Sequence, residues 1–318
     1  MSAEADAFPC DLEAFAPAKL NLGLEVIRRR PDGFHEIRTI FQALDWGDRL
    51  RLRRRTGSGI LLRVQGPPSI PKGRENLVVR AATALAARRA PGKGVEILLS
   101  KRIPAGAGLG GGSSDAAATL LALERLWGLS PDPSELRALA EGLGSDIPFF
   151  FLGGTALGEG RGEILTPLPP APDWTWILAL PPLSVATEEA YRKACKGLTD
   201  SGERLRMLQL ALVERAFAGF VDNLVNDLES GVFSTEPRLE GIKRALLAIG
   251  APGVAMTGSG AALFAPLRSV VSSGPLDVSR LGPIFGEPSA VPPLPLRECG
   301  FRACRSSASG VRVIEPLR

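Results

Sequence analysis

The sequence predicts an α+β fold in two domains, residues 1–166 and 173–318, with a cleft between them. Strand-period and helix-period stretches both recur along the chain. A proline-rich segment, P-L-P-P-A-P over 167–172, interrupts them midway, and few compact elements tolerate that spacing. At 318 residues, 45% of them apolar, the chain can bury a sizeable core in each half.

Residues 15–27 alternate apolar and polar from Lys19 onward, the period of a strand. Leu20, Leu22, Leu24 and Val26 face one way, and Lys19, Asn21, Gly23 and Glu25 the other. An amine and an amide therefore share one surface, either a solvated strand face or part of a site. R-R-R-P-D-G over 28–33 makes a charged turn before Phe34, His35 and a second strand over 36–44. Residues 49–55, R-L-R-L-R-R-R, put arginines on one face, and an edge strand protected by charge explains them. A helix is predicted over 75–89 from the stripe Leu77, Val78, Ala81, Ala82 and Leu85, with Asn76 placed to cap it. Residues 95–99 form a buried strand that leads to Lys101 and Arg102.

The stretch 103–119, I-P-A-G-A-G-L-G-G-G-S-S-D-A-A-A-T, orders the rest. Its five glycines, Gly106, Gly108, Gly110, Gly111 and Gly112, permit turns with φ above zero and bring bare N–H groups near a ligand. Ser113 or Ser114 then caps a helix running to Leu126, whose start carries about half a positive charge and favours an anion. This is a phosphate cradle in outline. A flexible connection and a dinucleotide fingerprint, G-x-G-x-x-G through Gly106, Gly108 and Gly111, are the alternatives. Pro104 separates the loop from its strand, against the fingerprint's direct strand-to-helix turn. No Gly-Lys-Ser or Gly-Lys-Thr follows, so a Walker A loop is excluded.

Downstream, a helix opened by Ser130 is predicted over 131–141. Asp146 is the single charge in L-G-S-D-I-P-F-F-F, where it either caps a turn or, if buried, needs an ammonium such as Lys19. A hairpin is expected over 153–168 around G-E-G-R-G-E, a strand over 174–180, and a helix from Thr187 containing Tyr191. Further helices are predicted over 204–217, 223–229 and 237–249. In V-A-M-T-G-S-G-A-A-L-F-A-P, 254–266, Gly258 and Gly260 either let the backbone approach something closely or simply make the turn. The last fifty residues carry no readable pattern.

Composition narrows the function classes. Thirty-eight Lys and Arg against 34 Asp and Glu leave a charge of +4, compatible with small phosphorylated anions. A single tyrosine and no aromatic-basic interleaving argue against nucleic acid. Four cysteines, Cys10, Cys195, Cys299 and Cys304, are too sparse for a disulfide scaffold and include no C-x-x-C pair. No apolar run approaches the ~18 residues of a membrane span, and no leader is visible, so a cytoplasmic enzyme is expected, as a monomer or weak dimer.

Four ordered motifs carry a resemblance: A-P-A-K-L-N-L-G-L at 16–24, P-D-G-F-H-E-I at 31–37, G-L-G-G-G-S-S-D-A-A at 108–117 and G-S-D-I-P-F-F at 144–150. With the late glycine turn at Thr257–Gly260, they resemble the GHMP kinases, named for galactokinase, homoserine kinase, mevalonate kinase and phosphomevalonate kinase. The likeness, over roughly residues 13–266, is nearest to the 4-diphosphocytidyl-2-C-methyl-D-erythritol kinases. It implies an N-terminal domain like ribosomal protein S5 domain 2 and a ferredoxin-like C-terminal domain. It also implies ATP-dependent phosphorylation of the 2-hydroxyl of the cytidine diphosphate-linked methylerythritol, with Mg2+.

Position by position, the resemblance makes Asp146 the catalytic aspartate and Lys19 the active-site lysine. It puts Asn21, Phe34, His35, Thr187 and Tyr191 at the substrate, with the Phe34 ring on cytosine. Asn76 and Lys101 fall at the nucleotide, the run Pro104, Gly106, Gly108, Leu109, Gly110, Gly111, Gly112, Ser113 and Ser114 wraps the triphosphate, and Ser113 or Ser114 lies near the metal. The chain departs from the family after the late turn, where 268–296 is rich in proline and glycine in place of a helix. The rivals are a homoserine or mevalonate type of small-alcohol kinase, a nicotinamide-dependent oxidoreductase and a nucleotide-binding protein without turnover. The Phe34-His35 pair speaks against the first, whose substrates have no base to stack.

Overall fold

The structure is a computed structural model describing residues 8–194, 202–286 and 294–314; Cys195 lies outside them. Strand β1 (Leu12–Arg29) and strand β2 (His35–Arg55) form a long antiparallel hairpin, with Lys19 opposite Ala43 and Asn21 opposite Phe41. Alternation correctly marks β1 as a strand, but both of its faces are covered: Leu20 and Leu22 on one side, Lys19 and Asn21 on the other. The solvated-face reading therefore fails. Gly47 permits the close approach of the two strands, since a Cβ there would lie 2.1 Å from the Ala16 carbonyl oxygen.

Next come strand β3 (Gly59–Gln65), helix α1 (Leu77–Arg89) and strand β4 (Gly94–Ser100). The arginine-rich end of β2 is not an edge, because residues 49–55 pair with β4 on one side and residues 49–52 with β1 on the other. Its charges are balanced across the sheet instead. Glu13 meets Arg49 at 2.7 Å and Arg51 at 3.2 Å, and Glu96 pairs with Arg53 and with Arg63 of β3. The edge is β3, which runs parallel to β4. Helix α1 begins as predicted, with the Asn76 side chain accepting from the Val78 N–H at 2.9 Å. It buries Val78 and Leu85 at roughly 1.5–3 kcal/mol each.

Helix α2 (Gly111–Leu126) starts earlier than expected, because Gly110 in the left-handed region, φ 69°, is its N-cap. Ser113 and Ser114 consequently sit inside the first turn and cap nothing. Helix α3 (Pro133–Leu143) is capped by Asp132, not Ser130, through the Glu135 N–H at 3.0 Å. Short α4 (Ile147–Leu152) leads to the hairpin β5 (Thr155–Glu159) and β6 (Ile164–Pro167), docked on residues 39–42 of β2.

The second sheet is antiparallel throughout its described strands. It contains β7 (Thr175–Leu180), β8 (Ala255–Met256), β9 (Leu263–Leu267), β10 (Gly274–Leu276) and β11 (Gly300–Arg305), in the order β10-β11-β7-β9-β8. Around it lie α5 (Thr187–Ala194), α6 (Glu203–Val213), α7 (Phe217–Asp222), α8 (Glu229–Thr235), α9 (Pro237–Ala248), α10 (Leu281–Phe285) and α11 (Leu294–Arg297). Residues 223–229 do not form the predicted helix. Asn226 bridges to Leu24 of β1, and its amide donates to the carbonyls of Met256 and Gly258, bonds that a continuous helix would forfeit.

Strand β12 (Arg312–Ile314) returns to pair with β1, giving the first sheet the order β12-β1-β2-β4-β3 with the β5–β6 hairpin attached to β2. A division into units at 166 and 173 thus stands as a proposal about folding, with β12 crossing it. Leu20 and Leu22 share an apolar cluster with Trp174, Trp176, Phe220 and Phe264, so the two sheets are joined by buried hydrocarbon. Among the described residues, no helix is long and apolar enough to cross a membrane.

Candidate active site

The glycine loop between β4 and α2 is held from two sides. The Lys19 N–H donates to the Leu109 carbonyl at 3.0 Å, and the Ala262 N–H donates to the Ala107 carbonyl at 3.1 Å. Gly108, φ +73°, passes so near the late glycine turn that a Cβ would lie 2.0 Å from the Thr257 oxygen. Gly108→Ala is therefore expected to destabilise the protein by about 2 kcal/mol or more, read as a lower denaturant midpoint. An unchanged midpoint would mean that the loop relaxes freely.

Beneath the loop, Asp48 accepts from the Ile103 N–H at 2.9 Å and from the Lys101 ammonium at 2.5 Å, and Lys101 also reaches Asp115 at 2.8 Å. Burial opposes the charged form of Lys101, but the Asp115 and Asp48 carboxylates outweigh it and raise the pKa. This buried ion cluster anchors the base of the loop. Lys101 is therefore spent on carboxylates and does not line the cleft, and neither does Asn76, which caps α1.

The cleft is a cavity of about 1150 Å³. On one wall β1 presents Lys19 and Asn21; on another, the turn before α4 presents Ser145 and Asp146. The Lys19 Nζ lies 3.4 Å from Asp146 Oδ2, with the lysine side chain 4% exposed and the aspartate 30%. Asp146 occupies the N-cap of α4 yet makes no capping bond with its side chain, so the turn-capping reading does not hold. Lys19 also donates to Asn21 Oδ1 and lies 5.5 Å from the centre of the Phe41 ring. Asn21 is fixed in turn: its amide donates to Thr39 Oγ1 at 2.8 Å, and its backbone N–H to Thr257 Oγ1 at 2.9 Å. The amine and amide that alternation put on one face thus open into the cavity.

Pro104, Gly106, Gly108, Leu109, Gly110, Gly111 and Ser113 line the same cavity. Gly112 and Ser114 do not, and Ser114 Oγ is buried without a hydrogen-bond partner. Across the cleft, Phe34 is 55% exposed, and the His35 and Tyr191 rings stack at 5.3 Å with a 22° interplanar angle. Burial, then the Arg29 guanidinium, lowers the pKa of His35; burial, then the Asp146 charge, raises that of Tyr191. Thr187 shares a 3.0 Å hydrogen bond with Ser259.

Arg29, Ser145, Arg161 and Ser259 also line the cavity; Ser145 falls within the G-S-D-I-P-F-F motif and Ser259 within the late glycine turn, while neither arginine carries a signal in the sequence. Arg161 belongs to a Gly-Arg-Gly turn that reads simply as a hairpin tip. In the first sheet β3–β4 is the one parallel pair among the described strands, so the doubly wound sheet of a dinucleotide fold is absent there.

The GHMP kinases N terminal domain matches residues 76–154, and the GHMP kinases C terminal domain residues 208–270. A 4-diphosphocytidyl-2-C-methyl-D-erythritol kinase of Pelotomaculum thermopropionicum is 43% identical over 80% of this chain and 88% of its own length. The chain belongs to the 4-diphosphocytidyl-2-C-methyl-D-erythritol kinase family of GHMP kinases. The Moorella thermoacetica member of this family is 44% identical over 78% of the chain and 87% of its own. A crystal structure of a 4-(cytidine 5'-diphospho)-2C-methyl-D-erythritol kinase superposes with a TM-score of 0.70 at 37% identity, over 93% of this chain and all of that one. A homoserine kinase from Cytophaga hutchinsonii, at 21% identity and a TM-score of 0.72 over 95% of this chain and 97% of its own, shares the fold. Like the rest of its family, the chain is an ATP-dependent kinase.

Proposed function

We propose that the chain transfers the γ-phosphoryl group of ATP to the 2-hydroxyl of 4-diphosphocytidyl-2-C-methyl-D-erythritol, releasing ADP. The observation that carries this reading is the Lys19–Asp146 contact at 3.4 Å, in the cavity that the glycine loop also lines. An alcohol is a weak nucleophile, and a positioned base contributes roughly 10² to 10⁴ in rate. Asp146 accepts the hydroxyl proton as the oxygen attacks phosphorus. Lys19 offsets the negative charge gathered between carboxylate and phosphoryl group, and the loop N–H groups and the start of α2 hold the triphosphate. Asn21 fixes the lysine in place.

The acidic residues described include no group of three or more that would cage a metal ion by themselves. That fits magnesium, which takes one or two protein oxygens and completes its shell with phosphate and water. Of the two serines proposed near it, Ser113 lines the cavity and is the better donor. Magnesium would there neutralise charge on the triphosphate. A setting with cytosolic ATP suits the reading, and a monomer or weak dimer is proposed.

On the acceptor side, Phe34 provides a face for cytosine, His35 reads its edge, and Tyr191 and Thr187 close the pocket. Because burial, then the Arg29 guanidinium, lowers its pKa, His35 takes up its proton at a lower pH than an ordinary histidine. The KM for the cytidine substrate is expected to rise as pH falls below the ordinary histidine range, because protonation then removes the neutral ring that reads the base. His35→Ala should raise this KM about tenfold and leave the KM for ATP unchanged; an unaltered cytidine-substrate KM removes His35 from the pocket. The reading as a whole is tested by ATP consumption with the cytidine diphosphate substrate beside homoserine and mevalonate. Turnover confined to the first is expected, and turnover confined to either of the others overturns it.

A further inference from the structure

The wall between the Phe34 ring and the Asp146 carboxylate is formed by the tip of the β5–β6 hairpin. The guanidinium carbon of Arg161 lies 5.0 Å from the Phe34 ring centre. One residue on, a Cβ on Gly162 would lie 3.7 Å from Asp146 Oδ1. Arg161 therefore stands between the ring assigned to the base and the carboxylate assigned to the hydroxyl. In the acceptor, a ribose and a diphosphate lie between those two ends, and the diphosphate is the anion of the two that a guanidinium would hold.

Resting on the proposed function, we infer that Arg161 binds the diphosphate of the acceptor and so selects nucleotide-linked alcohols over free ones. The other arginines of the cavity are placed differently. Arg29 ends β1 beside His35, and Arg192 projects from α5 with Glu189 3.9 Å away. The contact of Arg161 with Glu163 is 3.6 Å, longer than a hydrogen bond, while that carboxylate accepts from the Arg161 backbone N–H at 2.6 Å. The guanidinium fork is thus close enough to the cleft to turn onto a phosphate and make paired bonds to it. Glycines on both sides, Gly160 at φ 71° and Gly162 at φ 109°, set the tight turn that points this side chain at Phe34.

The test is calorimetric binding of cytidine and of cytidine diphosphate to the full chain, as wild type, Arg161→Ala and Arg161→Lys. Arg161→Ala is expected to weaken cytidine diphosphate binding about tenfold and leave cytidine unchanged, with Arg161→Lys intermediate. Equal weakening of both ligands overturns the inference, because Arg161 would then act only on the base or its ring. Unchanged binding of both also overturns it. Wild-type protein that binds neither ligand overturns the proposed function itself, and this inference with it, a result distinguishable from the failure of Arg161 alone.

Discussion

Asp146→Asn is expected to lower kcat by about 10² to 10⁴ while nucleotide affinity stays within about twofold. Asparagine keeps the size of the side chain and can still accept a hydrogen bond, but it cannot take the hydroxyl proton. Since Asp146 makes no capping bond to α4 with its side chain, the fold loses little by the change. Steady-state turnover and direct nucleotide binding separate the two effects. Turnover like that of the wild type refutes the assignment of the base.

Lys19→Met carries the second large effect, a loss of roughly 10² to 10³ in kcat through removal of a preorganised charge. The ammonium is almost fully buried, contacts both Asp146 and Asn21, and has the late glycine turn directly beside it: a Cβ on Gly258 would lie 3.3 Å from Nζ. Methionine fills a similar volume, so packing around Phe41 survives. Asp146 remains partly open to water and is not left as an unpaired buried charge, so most of the effect should fall on rate and little on stability. The double variant Lys19→Met/Asp146→Asn should be scarcely slower than the worse single variant, because the two groups act on one proton and one phosphoryl transfer. Additive losses in that cycle would mean that the two residues work independently.

Much of this site is legible in sequence, for reasons that differ from residue to residue. The loop 103–119 announces itself because glycine spacing, a proline and a helix start coincide within one short stretch. The period of β1 puts Lys19 and Asn21 on one face, yet it cannot show that the face is covered, since a polar face reads the same in water and in a cleft. Asp146 offers two readings, and contact with Lys19 from a distant strand decides between them. The arginines of 49–55 are misread as an edge because Glu13 and Glu96, which neutralise them, come from neighbouring strands far along the chain. Ser114 and Ser130 look like caps by residue type, whereas Gly110 holds its cap position by a left-handed backbone and Asp132 by a side-chain bond from the Glu135 N–H. Residues 223–229 lose their helix to side-chain bonds of Asn226, a tertiary cause with no local signature. Beyond residue 267, among the described residues, short strands flank the short helices α10 and α11, too brief to show a period, and β12 is placed by its pairing with β1.

Asp146 and Lys19 are proposed to deliver a phosphoryl group to the acceptor's 2-hydroxyl within one cavity. Phosphorus NMR of a reaction containing ATP, magnesium and the cytidine diphosphate-linked methylerythritol reads this directly. One new phosphomonoester resonance is expected, equimolar with ADP and with no vicinal proton coupling because the 2-carbon bears no hydrogen, while the acceptor's diphosphate remains intact. ADP accompanied only by inorganic phosphate, or a cleaved diphosphate, contradicts it.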